Sequence, residues 1–153
     1  MDIKKYKGIL LDLDGVLMND RFELYQDVRQ LLYWFKLKGK KLYLCSHNNG
    51  GHYLLKKKRI YKFFDAIAAI YLSSDKYPNL ELLRALDRDM PKNEDLIFFD
   101  DQIAHVMDLD EIGIDGVLVD PKVGLNKNMF NAFREPEIDD FFANDNCCPC
   151  VRK

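Results

Sequence analysis

Residues 9–16 read Ile9-Leu10-Leu11-Asp12-Leu13-Asp14-Gly15-Val16. The aliphatic run Ile9, Leu10, Leu11 and Leu13 suits a buried strand, and it ends at Gly15, where the backbone is free to turn. Asp12 and Asp14 stand at i and i+2, so a regular strand presents both carboxylates on one face. The turn at Gly15 then lets both aim at one centre. Two like charges buried together are unfavourable unless a cation or a proton offsets them. An Asp-x-Asp-Gly stretch also opens calcium loops, but this one follows an apolar run and lacks the further oxygen ligands such a loop needs. It reads as the carboxyl end of a strand that delivers two acids to a site.

Outward from this stretch, strand-like and helix-like segments alternate. Val28, Leu31, Leu32 and Phe35 recur at i, i+3, i+4 and i+7, predicting a helix with Asp27 to cap its start and Gly39 to end it. Leu42 to Cys45 predict a second strand, stopped by Asn48-Asn49-Gly50-Gly51. A basic helix follows around Leu54 to Arg59, and its charge run Lys56–Arg59 reads as a solvated face. Phe63, Phe64, Ala66, Ile67 and Ile70 lead into a third strand, and Leu80, Leu83 and Leu86 mark another helix. Leu96 to Phe99 form a fourth strand running straight into Asp100-Asp101. A helix around Ala104 to Ile112 ends at Gly113, a strand covers Gly116 to Val119, and a short helix is expected within Gly124 to Phe133. Such alternation predicts the α/β class: a three-layer αβα, Rossmann-like fold on a mainly parallel five-stranded sheet. One domain is expected over 1–135, and 136–153 reads as an acidic, then Cys-rich tail.

The chain has 153 residues, about one domain's worth. Its formal net charge of −2 gives no bulk drive toward nucleic acid or an anionic membrane. No apolar run reaches the roughly 18 residues needed to span a bilayer. The run from Gly8 to Met18 is broken by Asp12 and Asp14, so it is neither a signal core nor a membrane helix. Four cysteines do not make a disulfide scaffold, and the default compartment is a reducing one, cytoplasm or nucleus. Cys147, Cys148 and Cys150 crowd the end. Zinc needs a fourth ligand that is missing there, and the bland reading is unstructured thiols. Their lipidation is the one route by which a membrane would enter.

In sheets of this class, ligands bind beyond the carboxyl ends of the strands. Asp12, Asp14, Ser46, Lys76, Asp100 and Asp101 all fall there. The Ser46 hydroxyl can donate to an anion, although with Asn48 and Asn49 it also fits a simple turn. Lys76, before Tyr77-Pro78 at a helix start, says little by itself. Asp100-Asp101 after an apolar strand suits a hard cation such as Mg²⁺, with helix capping as the alternative. Taken together, the chain resembles the haloacid dehalogenase-like superfamily over about residues 7–134. The resemblance is carried by Ile9–Val16, by Leu42-Tyr43-Leu44-Cys45-Ser46, by Lys76 and by Phe98-Phe99-Asp100-Asp101. Within that superfamily it is most similar to the magnesium-dependent phosphatase branch, from Ile97–Asp101 followed by Gly113, Gly116 and Gly124-Leu125-Asn126. It departs from that pattern at His105, where such sequences often carry Asn.

The resemblance implies a mechanism. Asp12, an ordinary carboxylate ionised at neutral pH, is the nucleophile. Mg²⁺ is held by Asp12, Asp100 and the backbone carbonyl of Asp14, with Asp101 supporting the metal or Lys76 from behind. Lys76 and Ser46 bind the phosphoryl oxygens, and Asp14 is general acid and then base. A carboxylate at Asp14 favours a phosphatase, since halide loss needs no proton donor and ion-pumping relatives carry Thr there. The intervals Asp14–Asp27 and Ser46–Lys76 leave no space for a cap domain, so an open site is expected. It would suit a phosphoprotein or phosphotyrosine, a nucleic-acid end or a phosphosugar, or a small substrate if a homodimer partner closed it. His47, Asn48 and His52 stand where flanking substrate contacts could arise. Two rivals stand beside hydrolysis: a catalytically idle phospho-binding module, and a phosphotransferase to an acceptor other than water.

Overall fold

In the computed structural model, which describes residues 1–134, five strands form one sheet. They are β1 (Gly8–Leu11), β2 (Lys41–Ser46), β3 (Ala66–Ala69), β4 (Leu96–Asp100) and β5 (Asp115–Leu118). Their order is β3-β2-β1-β4-β5, and every pairing is parallel. Four helices connect them: α1 (Val28–Leu37), α2 (Gly51–Lys57), α3 (Tyr77–Leu86) and α4 (Ile103–Asp110). The tail expected over 136–153, with its three cysteines, lies outside the described residues.

Register explains why the strands are apolar throughout. Leu10 pairs with Tyr43 on one side and Phe98 on the other. Ile9, Leu11, Leu42, Leu44, Ile97 and Phe99 face one layer with Val28, Leu31, Phe35 and Leu55. Leu10, Tyr43, Cys45, Leu96 and Phe98 face the other with Leu80, Leu83 and Leu109. Both faces are covered by helices, so neither alternate set can be polar. Each fully buried large side chain contributes about 1.5–3 kcal/mol.

Four local expectations change. The helix face at Val28, Leu31, Leu32 and Phe35 is buried as expected, but Tyr33 and Trp34 are buried too. The chain returns over α1: Phe63 meets Tyr33 at 5.9 Å, and Phe130 and Phe133 meet Trp34 at 5.8 and 5.3 Å. Asp27 does not cap α1. Its carboxylate accepts the Lys127 N–H at 2.9 Å instead, tying down the returning segment. The helix expected within 124–133 is only one 3₁₀ turn, Lys127–Met129, opened by the Asn126 side chain accepting from the Asn128 N–H. Leu125 and Phe130 are both in the core, which holds this stretch extended.

The basic helix also starts earlier than expected, at Gly51 rather than Leu54. A Cβ on Gly51 would lie 2.5 Å from the Ala69 Cβ, so glycine lets this helix start press on β3. Between β1 and α1 the chain makes tight turns, with the N–H groups of Val16, Leu17 and Met18 all directed at the Leu13 carbonyl. Only α2, a 3₁₀ turn at Tyr61–Phe63 and β3 fill the interval from Ser46 to Lys76. No cap domain exists among the described residues. No described helix is long and apolar enough to cross a membrane.

Candidate active site

Parallel strands put all their carboxyl ends on one edge, and the expected residues gather there. A pocket of about 250 Å³ is lined by Asp12, Asp14, Ser46, His47, Asn48, Lys76, Asp101, Gln102 and His105. Asp12 follows β1 directly, its N–H bonded to the Phe99 carbonyl at 3.0 Å. Its Oδ1 accepts the Leu13 N–H at 2.8 Å.

Lys76 is the centre of the arrangement. It stands immediately before α3, and its side chain is 1% exposed. The Nζ donates to the Cys45 carbonyl at 2.8 Å and to Asp100 Oδ2 at 3.1 Å, and lies 3.2 Å from Asp12 Oδ1. One ammonium thus joins β1, β2 and β4. Burial works to lower its pKa, but Asp12 leads the groups that oppose this and hold it above the ordinary lysine value. A buried charge survives only when paired in this way.

The two adjacent acids have different surroundings. Asp100 is fully buried. Its Oδ1 accepts the Gln102 N–H at 2.8 Å, and its Oδ2 receives Lys76 and lies 3.2 Å from His105 Nδ1. Asp101 is half-buried and lines the pocket. Its carboxylate packs against Gly15, whose φ of +80° leaves the space that a Cβ would fill.

Asp12, Asp100 and Asp101 each offer an oxygen, and these oxygens lie within 4.8 Å of one another. Burial pushes Asp12 well above the usual carboxylate range; Lys76 pulls it back and Asp100 adds to the rise. Asp101 is raised by burial and then by Asp100. The expectation that Asp12 behaves as an ordinary ionised carboxylate therefore changes: burial, with Asp100 adding to it, holds Asp12 above the ordinary carboxylate value, and the Lys76 ammonium, shared between Asp12 and Asp100, offsets this only in part. A further cation would restore balance, and an all-oxygen donor set of this kind suits a hard divalent ion. The residues present fit Mg²⁺.

The remaining expected residues divide. The Ser46 hydroxyl lines the pocket and accepts the Asn48 N–H at 3.0 Å. Asn48 also lines the pocket, but its Nδ2 donates to Asp14 Oδ2 at 3.1 Å, so it holds Asp14. Asp14 itself is exposed at the mouth. His47 lines the pocket, with Nε2 2.9 Å from the Asp75 carbonyl oxygen. His52 does not line it, and its ring faces Tyr61 at 6.0 Å.

Two residues emerge only from the structure. His105, noted in the sequence only as a departure, bridges Asp100 to the Ser74 carbonyl, 3.0 Å from Nε2. Asn79 is fully buried and donates through Nδ2 to the carbonyls of Ser46 and Ile70, pinning together the ends of β2 and β3. A single polar residue between apolar helix positions gave no signal of that role.

The order of strands, the crossing helices and the acid-rich carboxyl edge define the haloacid dehalogenase-like fold. Neither a protein-family model nor a curated protein matches the sequence. Solved structures do. A candidate phosphatase from Clostridium difficile is 16% identical with a TM-score of 0.68, covering 79% of this chain and 88% of that one. The β-phosphoglucomutase of Clostridium difficile is 12% identical with a TM-score of 0.64, covering 97% and 100%. A haloacid dehalogenase-like family hydrolase from Streptococcus pneumoniae is 14% identical with a TM-score of 0.62, covering 82% and 90%. At such identities the likeness establishes the shared fold.

Proposed function

We propose that the protein is a Mg²⁺-dependent phosphatase that hydrolyses a phosphate monoester through an aspartyl-phosphate on Asp12. The observation that carries this reading is the buried Lys76 ammonium, 3.2 Å from Asp12 and 3.1 Å from Asp100, beside a pocket that also contains Asp14. Such a pairing gives a carboxylate nucleophile next to a fixed positive charge for the incoming phosphoryl oxygens. The named neighbours, a phosphomutase and hydrolases, support phosphoryl chemistry on this fold.

Asp12 attacks phosphorus and expels the leaving oxygen. Lys76 and the Ser46 hydroxyl bind the phosphoryl oxygens as charge builds on them. Asp14, held by Asn48 at the pocket mouth, protonates the leaving oxygen and then takes a proton from the water that cleaves the acyl phosphate. Asp101 and Asp12 would hold the metal, together with the Asp14 backbone carbonyl that the resemblance implies. Asp100, with both oxygens already receiving protein donors, acts by fixing Lys76. The resemblance implies Asp100 on the metal and Asp101 behind it, and the protein donors already on Asp100 favour the opposite division. Bound Mg²⁺ would supply neutralising charge between nucleophile and phosphate.

The test is Asp12→Asn with p-nitrophenyl phosphate as substrate. An amide is nearly isosteric and a poor nucleophile. Turnover falls by more than about a hundredfold while the thermal unfolding midpoint holds or rises. Activity near wild type would rule out Asp12 as nucleophile.

A further inference from the structure

Residues 47–64 contain Lys56, Lys57, Lys58, Arg59 and Lys62 and no aspartate or glutamate. Residues 100–120 are the reverse, with seven acids and no lysine or arginine. Topology sets these segments on opposite flanks. The basic one joins β2 to β3 at one edge of the sheet, and the acidic one runs from the end of β4 past β5 at the other. The pocket opens between them, with residues from both segments in its lining. A net charge of −2 hides this division. An anion longer than one phosphate is attracted along the β3 flank and repelled from the β5 flank.

The basic flank also carries exposed aromatic rings. Tyr53 is 65% exposed and Tyr71 59% exposed. The Lys57 Nζ lies 5.8 Å from the Tyr53 ring centre, and the Lys56 Nζ 4.8 Å from that of Tyr61. Tyr71 meets the pocket-lining His47 edge-on at 5.1 Å, and its N–H donates to the Asn49 side chain. Aromatic surface thus begins at the pocket rim and continues over α2. Among the described residues, no carboxylate pairs with any of the five basic side chains of this flank. Exposed tyrosines cost apolar hydration, and here they alternate with cations that rest against rings and that no described carboxylate neutralises. An acidic peptide would use the lysines but leave the flat rings unexplained. A single nucleic-acid strand uses both, with phosphates on the lysines and bases stacked on the tyrosines.

We infer that this flank binds a single-stranded nucleic acid whose terminal phosphate enters the pocket, making the substrate a phosphate-ended oligonucleotide. The inference deepens the phosphatase reading and rests on it for the reaction, whereas strand binding needs no turnover. The charge run that in sequence reads as a solvated face becomes the strand's electrostatic track.

The test separates the two. The full-length protein in EDTA is titrated into fluorescent oligo(dT) and oligo(U) of about 12 nucleotides carrying a terminal phosphate, by anisotropy, across about 50–200 mM salt. Binding that weakens with salt is expected, with either sugar satisfying the inference. The double variant Lys56→Ala, Lys57→Ala flattens the slope of log affinity against log salt by about 1.4. Tyr53→Ala weakens binding about tenfold. Both variants keep wild-type turnover of p-nitrophenyl phosphate, since none of the three residues lines the pocket. The inference is overturned by absent strand binding at the lowest salt, by a slope the lysine variant leaves unmoved, or by equal binding of an acidic phosphopeptide. Turnover of p-nitrophenyl phosphate without strand binding overturns it and leaves the phosphatase reading standing. Strand binding by a protein that hydrolyses no phosphate ester upholds the surface and overturns that reading.

Discussion

Gly15 and Asp101 occupy each other's space: Gly15 has a φ of +80°, and a Cβ built on it would run into the Asp101 carboxylate. The sequence places these residues 86 positions apart, yet both line one cavity that adjoins the pocket and shares Asp14 and Asp101 with it.

Gly15→Ala therefore has two costs. A left-handed backbone with a Cβ is destabilising by about 1–2 kcal/mol. The displaced Asp101 carboxylate adds a loss of activity and of metal affinity. Thermal unfolding and Mg²⁺ titration of turnover measure both. In Gly15→Ala combined with Asp101→Ala, the collision with the carboxylate is gone, but a close Cβ contact of 3.0 Å and the backbone cost remain. Gly15→Ala at wild-type stability and KM for Mg²⁺ would show that the contact does not matter.

Metal removal gives a direct readout of the acid cluster. EDTA abolishes turnover of p-nitrophenyl phosphate and Mg²⁺ restores it. Ca²⁺ inhibits, because it prefers more oxygens at longer distances and competes for both oxygens of Asp12. Full activity in EDTA would count against the metal reading of Asp12 and Asp101.

Asp14 is held by Asn48, so both variants bear on proton transfer. Asp14→Asn loses about 10²–10⁴ in rate on alkyl phosphates and less on aryl phosphates, whose leaving groups need little protonation. Rapid-quench sampling finds phosphoenzyme accumulating with the aryl substrate, because water still lacks its base. Asn48→Ala shows the same preference between substrates in weaker form. Equal losses on both substrate types, with no trapped intermediate, would remove Asp14 from proton transfer.

Stability in acid depends on a group far from the site. Asp87 accepts from the Lys41 ammonium and the Tyr43 hydroxyl, both at 2.7 Å. Burial raises its pKa, but these two donors outweigh that and hold it below the ordinary carboxylate value. A depressed folded pKa contributes stability above the unfolded value near 3.8, and that contribution is lost as pH falls through the lower folded value. Asp87→Asn lowers stability at neutral pH by about 1–3 kcal/mol. The gap between wild type and variant narrows as pH drops below about 4, where protonation costs the wild type the same interaction. Thermal melts from neutral to acid pH measure it, and a gap independent of pH would assign the loss to packing alone.

Local sequence determined the parts of this protein that depend on near neighbours. The apolar runs before Asp12 and Asp100 read as buried strands, and their alternation with amphipathic segments pointed to a parallel sheet covered on both faces, as the structure has it. Since all strands of such a sheet end on one edge, Asp12, Ser46 and Asp100 were expected along it, and the strand order β2-β1-β4 is what brings them together. What chain-distant groups do to one another needed the tertiary structure. The resemblance puts Asp100 on the metal and Asp101 behind it, but only the fold shows Lys76 and His105 closing on a buried Asp100 while Asp101 lines the pocket. Trp34 and Tyr33 fall outside the helical stripe and are buried because Phe63 and Phe130 return over them. Asp27 has a capping position and a partner 100 residues away that outcompetes the cap. The charges of 47–64 and 100–120 nearly cancel when summed along the chain. Strand order separates them in space, because field and contact depend on distance through the fold rather than along the sequence.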